Sequence, residues 1–201
     1  VRWRIARGIR NDLFGGAVRT RIPVYWSHCG SYRARYPELI GVPRVKSYED
    51  LSRLGEEVQR RGFRALKTNV ALSDGKTLAS YRPGFGYSKG YPELNWDADI
   101  VKAAVDTAAA FRAGAGPAMG IMIDLNFNYK TEGFRRIAAA LAPVNMSWIE
   151  IDTHDPASLA LIRRDAPCPI ASGETLCERR DFKPFFEAYA MDVPIVDVIW
   201  N

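Results

Sequence analysis

The chain has 201 residues, of which 47% are hydrophobic and 25% are charged, so it is long enough to form a globular domain with a core. No apolar run approaches the roughly 18 residues that a membrane span requires, and the first residues lack the apolar segment of a signal peptide. The net charge of +5 comes from basic residues spread along the chain rather than clustered. These features argue against a membrane protein and against nucleic acid as a partner, and we expect a cytoplasmic protein with a small anionic substrate.

The three cysteines include no CxxC pair, which predicts free thiols rather than disulfides or a zinc site.

The first half of the chain predicts two strands separated by a helix. Residues 22–29 form a short apolar run, and a second run covers residues 63–70. Between them, apolar residues at helical spacing predict a helix that starts after Ser47 and is closed by Gly62. Residues from about 80 to 96 are rich in Gly, Pro and Tyr without any period, which predicts an insertion loop. A loop of this length commonly shapes an active site, although a plain surface insertion explains it equally well.

The second half of the chain continues the same alternation. The further predicted strands cover residues 119–127, 146–152, 169–174 and 193–200. The apolar stripes of the helices between them are Ile100, Ala104, Val105, Ala108 and Phe111, then Phe134, Ile137 and Leu141, then Phe182, Phe185, Phe186 and Tyr189. Gly114 is expected to end the first of these helices, and Asp155 followed by Pro156 predicts the N-cap and first turn of another. Strands alternating with helices predict an α/β fold with a parallel sheet.

Three successive predicted strands end in a carboxylate: Asp124 in MIDLN, Glu150 in WIEID and Glu174 in ASGET. They are 26 and 24 residues apart, about one βα unit each. In a parallel barrel such positions lie side by side at the C-terminal rim, so we expect the three to converge. Like charges held together in a buried place need protons or a cation, and Mg²⁺ favours oxygen ligands of this kind. The alternative is that each acid caps a helix or pairs with an arginine.

Other polar residues are predicted to lie at the same rim. Lys67 ends the second strand, and Asp197 follows Glu174 by 23 residues. A lysine beside a metal can act in acid–base chemistry, although a solvated surface lysine is the alternative. His28 ends the first strand and is a candidate for contacting substrate or donating a proton. A hydrogen-bonded structural histidine is the alternative there, and it is the favoured interpretation of His154.

These segments, in this order, resemble the mandelate racemase and muconate lactonizing branch of the enolase superfamily. ALKTN resembles its Lys-x-Lys strand, IDLN its Asp-x-Asn strand, WIEID its Trp-Ile-Glu-Glu-Pro strand and SGET its Gly-Glu strand. The resemblance implies a (β/α)8 barrel of the TIM type, of which this chain carries about six βα units. Residues 1–21 would be a remnant of the N-terminal α+β capping domain and the lead-in, and residues 22–201 the catalytic barrel.

The resemblance also implies a ligand set. Asp124, Glu150 and Glu174 would hold one Mg²⁺ ion, and Asn126 would help to bind an oxygen of the substrate or near the metal. Binding of a small carboxylate follows, and a homo-oligomer is expected.

The acid–base residues depart from the family pattern. Lys67 corresponds to the first lysine of the family's pair, but Asn69 stands where many members carry the second, and an amide cannot take a proton from carbon. We assign Asn69 to substrate binding. Asp197 corresponds to an aspartate that orients a histidine base on the seventh strand, which lies outside this chain. The base is therefore Lys67 or that histidine.

The chemistry implied by the resemblance is removal of the proton next to a carboxylate, giving an enediolate that the metal stabilises. Loss of one of two opposed bases disfavours a racemase. The sequence favours dehydration of an acid sugar to a 2-keto-3-deoxy acid. A racemase, epimerase or cycloisomerase is the first alternative, and a non-catalytic barrel that binds an acid ligand is the second.

Overall fold

The computed structural model describes residues 15–81 and 96–197. Its strands are β1 (Ala65–Asn69), β2 (Ala71–Ser73), β3 (Leu78–Ser80), β4 (Gly120–Asp124), β5 (Trp148–Glu150), β6 (Ile170–Ser172) and β7 (Val193–Pro194). Its α-helices are α1 (Ser31–Arg35), α2 (Pro37–Ile40), α3 (Tyr48–Arg60), α4 (Ala98–Ala115), α5 (Thr131–Ala140), α6 (Pro156–Asp165) and α7 (Glu178–Glu187), and a 3-10 helix covers Ala142–Val144. Most of the predicted insertion loop and the end of the last predicted strand lie outside these residues. None of the helices described could cross a membrane.

Five strands form one sheet in the order β1-β4-β5-β6-β7, and every pair is parallel. Helices α4, α5, α6 and α7 lie between successive strands of this sheet in the chain. Parallel neighbours need such a crossover, because the C-terminal end of one strand and the N-terminal end of the next lie on opposite sides of the sheet. The predicted parallel α/β fold is confirmed.

The first predicted strand is reduced to a single bridge. Trp26 pairs in parallel with Leu66, and its backbone N donates to Ala65 O at 3.1 Å. The chain then turns, with positive φ angles at His28 (51°) and Gly30 (86°), and enters α1. The neighbour on the sheet is therefore as predicted. Cys29 N donates to Lys67 O at 2.8 Å, so the segment stays beside β1 as far as residue 29, but the turn at His28 interrupts the regular ladder.

A hairpin that the sequence analysis did not predict follows β1. Strands β2 and β3 pair antiparallel, so Ser80 belongs to a strand rather than to the insertion loop. Asp74 closes the turn, since its Oδ1 accepts from the backbone N of Lys76 at 2.8 Å and of Thr77 at 2.7 Å. The Asp-Gly pair in SDGKT is the local signal for such a turn.

The helix starts agree well with the predicted caps. Ser47 and Asp50 form a reciprocal capping box at α3, and the Asp155 side chain accepts from two backbone N–H groups at the start of α6. The predicted end of α4 was wrong, because the helix passes through Gly114 and is capped by Gly116. A Cβ at Gly114 would lie 1.8 Å from Ser52 O, so this glycine permits close contact with α3.

The apolar stripe predicted for α7 is only partly buried. Phe182 and Phe185 are buried, whereas Phe186 is 52% exposed and Tyr189 is 77% exposed. Tyr189 lies beyond the end of the helix at Glu187, so it cannot continue the helical face.

The alternation of side chains along the strands separates the core from a polar face. Leu66, Ile121, Ile123 and Ile149 are fully buried in the hydrophobic core. The residues that alternate with them carry the polar groups, which therefore share the opposite face of the sheet.

Candidate functional site

Strand register aligns the polar residues in a row across the sheet. Asn69 on β1 pairs with Asp124 on β4, and Asp124 pairs with Glu150 on β5. The next residue in this row is Ala171 on β6. Glu174 lies three residues further along the chain, beyond the end of β6, so it is not in the same row as the other two predicted ligands.

Three carboxylates converge at this end of the sheet. Asp124, Glu150 and Asp152 each offer one oxygen, and these oxygens lie within 4.8 Å of one another. The three residues are 5%, 0% and 4% exposed. Asp152 was not among the predicted ligands, although WIEID contains the signal: residues two apart on a strand point to the same face.

Two oxygens of the cluster have no hydrogen-bond partner within residues 15–81 and 96–197. They are Glu150 Oε1 and Asp152 Oδ1, and both atoms are buried. A buried charged oxygen without a partner is costly, and a hard divalent cation would satisfy several such oxygens at once. The donor set and its unpaired atoms therefore fit a metal ion.

Lys67 is the cation that contacts the cluster. Its side chain is 8% exposed, and its ammonium forms an ion pair and hydrogen bond with Glu150 Oε2. Burial by itself would lower the pKa of Lys67, but the charge and hydrogen bond of Glu150, together with Asp124, outweigh burial and raise the pKa. Lys67 is therefore held as a charged ammonium rather than as a free amine.

Burial and mutual repulsion raise the pKa values of two carboxyl groups in the cluster. Burial, and then the charge of Asp124, raises the pKa of Glu150 despite the opposing charge of Lys67. Burial, Asp124 and Glu174 together raise the pKa of Asp152 to about 7. The effect on Asp152 also means that Glu174 contributes negative charge to this site.

Two asparagines hold Asp124 in position. Asn126 donates to Asp124 Oδ1 through its backbone N at 2.8 Å and through its Nδ2 at 2.6 Å. Asn69 donates through Nδ2 to the Asp124 carbonyl at 3.3 Å and accepts from Ser31 Oγ at 3.0 Å. These contacts orient the carboxylate and its strand.

A polar cavity of about 100 Å³ adjoins these asparagines. It is lined by His28, Ser31, Tyr32, Arg35, Tyr36, Asn69, Ser80 and Asn126. The His28 ring stacks on Tyr32 at 4.9 Å, and its Nδ1 lies 2.9 Å from Ser27 Oγ. The structure thus brings three of the residues predicted to bind substrate, His28, Asn69 and Asn126, to one cavity.

Asp197 and His154 each lie beyond the end of a strand. Asp197 is the last residue that the structure describes and follows β7 by three residues. His154 stacks on Phe127 at 5.4 Å, in keeping with the structural role favoured for it.

Comparison with known proteins places this geometry in a family. Residues 50–201 match the family described as Enolase C-terminal domain-like. The 3,6-anhydro-alpha-L-galactonate cycloisomerase of Streptomyces coelicolor is 30% identical over 190 residues, which are 93% of this chain and 45% of that protein. The D-gluconate/D-galactonate dehydratase of Picrophilus torridus is 26% identical over 122 residues, which are 55% of this chain and 31% of that protein. The chain thus spans about half the length, or less, of the curated relatives it matches.

A solved structure has the same fold. It comes from Burkholderia xenovorans strain LB400 and is provisionally named an L-alanine-DL-glutamate epimerase; it is 45% identical, with a TM-score of 0.90 over 95% of this chain and 48% of that chain. A second structure of that name and source has magnesium and fumarate bound. The fold and the match over residues 50–201 confirm the predicted barrel, and the chain belongs to the enolase superfamily, in its Enolase C-terminal domain-like family.

Proposed function

We propose that this chain forms the metal-binding part of a Mg²⁺-dependent enzyme that removes the proton next to the carboxylate of a sugar acid and expels the β-hydroxyl group as water. The observation that carries the proposal is the buried carboxylate cluster with its unpaired oxygens, beside a buried lysine. Clusters of this kind are unstable without a cation, and a carbon acid of this kind needs positive charge beside the substrate carboxylate.

Asp124, Glu150 and Glu174 would hold the Mg²⁺ ion. A bound Mg²⁺ ion supplies Lewis-acid charge to a substrate carboxylate, which is worth several kcal/mol to the developing anion. The magnesium in the Burkholderia structure supports this choice of ion.

The neighbouring residues would orient these groups. Asn126 fixes the Asp124 carboxylate through two hydrogen bonds to one oxygen. Lys67, which donates to Glu150, would keep a positive charge beside the substrate carboxylate. His28 and Asn69, on the adjoining cavity, would contact the hydroxyl groups of the substrate.

Proton removal from carbon is assigned to a histidine oriented by Asp197 rather than to Lys67. Lys67 is engaged with Glu150, so its proton is not readily given up. The proton leaves carbon 2, a general acid protonates the hydroxyl on carbon 3, and the C–O bond breaks to release water. The enol that results becomes a 2-keto-3-deoxy acid.

A cycloisomerase is the second candidate function. The Streptomyces protein, which matches 93% of this chain, is named a cycloisomerase, and the substrate in its name is an anhydro sugar acid. Cleavage of a ring C–O bond after the same proton removal would give an isomer without loss of water. The name of the Burkholderia structure favours an epimerase instead. A cytoplasmic location and a homo-oligomer stay predictions.

Proton NMR in D2O separates these reactions. The product of the complete reading frame, with Mg²⁺, is incubated with a panel of sugar acids and anhydro sugar acids. We expect a 2-keto-3-deoxy product with water lost, and no turnover by Asp124→Asn. Asp106→Asn, which changes a half-buried acid on α4 outside the carboxylate cluster, is the matched control and should turn over normally. Deuterium exchange at carbon 2 without elimination would contradict the dehydratase, and an isomeric product from an anhydro acid would replace it with the cycloisomerase.

A further inference from the structure

We propose that Asp152 is a fourth carboxylate ligand of the bound cation, together with Asp124, Glu150 and Glu174. The inference rests on the proposed function, because it requires that the site holds a divalent ion. The family pattern does not lead to it: the Trp-Ile-Glu-Glu-Pro strand has proline where WIEID has Asp152.

The backbone fixes Asp152 on the side of the cluster. Glu150 and Asp152 are two residues apart, so their side chains share a face as long as the chain stays extended. Backbone bonds continue past the end of β5: Ile151 N donates to Ala171 O at 2.9 Å, and Asp152 N donates to Asn126 O at 3.2 Å. Asp152 is therefore held from both sides.

The side chain of Asp152 differs from those of Glu150 and Asp124 in its hydrogen bonds. Glu150 Oε2 accepts a hydrogen bond from Lys67, and Asp124 Oδ1 accepts one from Asn126. Asp152 is only 4% exposed, yet its Oδ1 has no hydrogen-bond partner in the part of the chain that the structure describes. The same residue supplies one of the three oxygens that lie within 4.8 Å of one another. A carboxylate buried in this way needs a cation or a proton.

The charge at the site favours the cation. Asp124, Glu150, Asp152 and Glu174 carry four negative charges when ionised, and Lys67 supplies one positive charge. Mg²⁺ with three carboxylates would leave Asp152 buried beside the ion without contacting it. Direct coordination of the ion by Asp152 Oδ1 would give this oxygen a partner and would fill one more position of the octahedral shell that Mg²⁺ prefers.

Calorimetric titration with Mg²⁺ at pH 8 tests the assignment. The proteins compared are the product of the complete reading frame and its Asp152→Asn, Asp124→Asn and Asp106→Asn variants. Because even indirect partners of a metal site cost about 10-fold to 100-fold in affinity, we expect Asp152→Asn to weaken binding at least about 10-fold. Asp106→Asn should bind within about twofold of the unsubstituted protein, because Asp106 pairs with Lys102 on α4 and is not part of the cluster.

Counting bound waters gives a measurement that does not depend on a variant. Mn²⁺ takes the same oxygen ligands, and electron paramagnetic resonance in ¹⁷O-labelled water reports the waters on the ion. Four carboxylates in an octahedral shell leave at most about two water positions, whereas three leave about three. Asp152→Ala, whose side chain offers no oxygen to the ion, should show one water more than the unsubstituted protein.

The outcomes separate this inference from the proposed function. If the unsubstituted protein binds no Mg²⁺ at millimolar concentration, the proposed function is wrong and the ligand assignment falls with it. If it binds Mg²⁺ but Asp152→Asn binds equally well and Asp152→Ala shows the same number of waters, only the assignment of Asp152 is overturned. That second result would mean a protonated, purely structural carboxyl group.

Discussion

At the scale of single residues, Lys67 shows what a strand-end motif predicts and what it does not. ALKTN predicts Lys67 at the end of its strand, whereas in the structure Lys67 lies in the middle of β1 and pairs with Met122. Its ammonium still reaches Glu150, at the end of β5. Its partner could not be predicted, because the contact with Glu150 joins residues 83 positions apart in the chain. The choice between a base and a fixed charge depends on that contact.

Replacing Lys67 by Met should destabilise the metal-free protein at pH 8. Removing one partner of a buried pair leaves the other charge uncompensated, which costs about 3 kcal/mol or more in the free energy of unfolding. At pH 5 the loss should be smaller, because the pKa of Glu150 is already raised and its carboxyl can take up a proton instead. Urea unfolding at the two pH values measures both effects.

The control for this prediction is Arg53→Met. Arg53 pairs with Glu49 and Asp50 on the exposed surface of α3, so its loss should leave the free energy of unfolding nearly unchanged. Equal losses for Lys67→Met and Arg53→Met at pH 8 would contradict a buried, charged Lys67.

At the scale of elements, prediction succeeded where the signal was local. The capping box at Ser47 and the Asp155-Pro156 helix start are defined by residues within four positions of each other. It failed where distant contacts decide. Gly114 looked like a helix end, but its role depends on Ser52, a residue of another helix.

The contact between α3 and α4 makes Gly114→Ala a sharp test of the fold. Alanine is the better helix former by about 1 kcal/mol, so an isolated α4 would gain stability. In the folded protein the added Cβ would meet Ser52 O at 1.8 Å, which forces the helices apart. We expect a net loss of about 1–3 kcal/mol in the free energy of unfolding, measured by urea titration.

Lys102→Ala provides the comparison on the same helix. Lys102 is exposed and makes only an i,i+4 pair with Asp106, so its replacement should change stability by less than about 0.5 kcal/mol. A neutral or stabilising Gly114→Ala would mean that α3 and α4 are not packed as the structure has them.

At the scale of the whole molecule, the order of strands could be predicted but the composition of the site only in part. Alternating strand and helix patterns led to the parallel sheet and to Asp124 and Glu150, which are paired in register. The length of β6 was not predictable, so the sequence could not indicate that Glu174 lies beyond the row. The spacing in WIEID put Asp152 on the face of Glu150, but only the structure shows that the backbone stays extended past β5 and brings Asp152 into the cluster. The positions of Glu174 and Asp152 both depend on how far β5 and β6 stay extended before the chain turns away from the sheet.

The same cluster couples metal binding to the stability of the molecule. Without a cation, the folded state must keep Asp124, Glu150 and Asp152 together in a buried place, and the unfolded state does not. Mg²⁺ at 100 times its Kd should therefore stabilise the fold by about 2.7 kcal/mol. For a protein of about 200 residues that corresponds to a rise in Tm of roughly 5–10 °C, and for a longer chain the rise is smaller.

Differential scanning calorimetry in Mg²⁺ and in EDTA measures this rise on the product of the complete reading frame. KCl at matched ionic strength should produce little of it, because screening does not supply a ligand to the unpaired oxygens of Glu150 and Asp152. Asp124→Asn should lose most of the response while keeping a similar Tm in EDTA. Equal Tm values in Mg²⁺ and EDTA would show that the cluster is held by protons, since only a bound cation links the Mg²⁺ concentration to the free energy of unfolding.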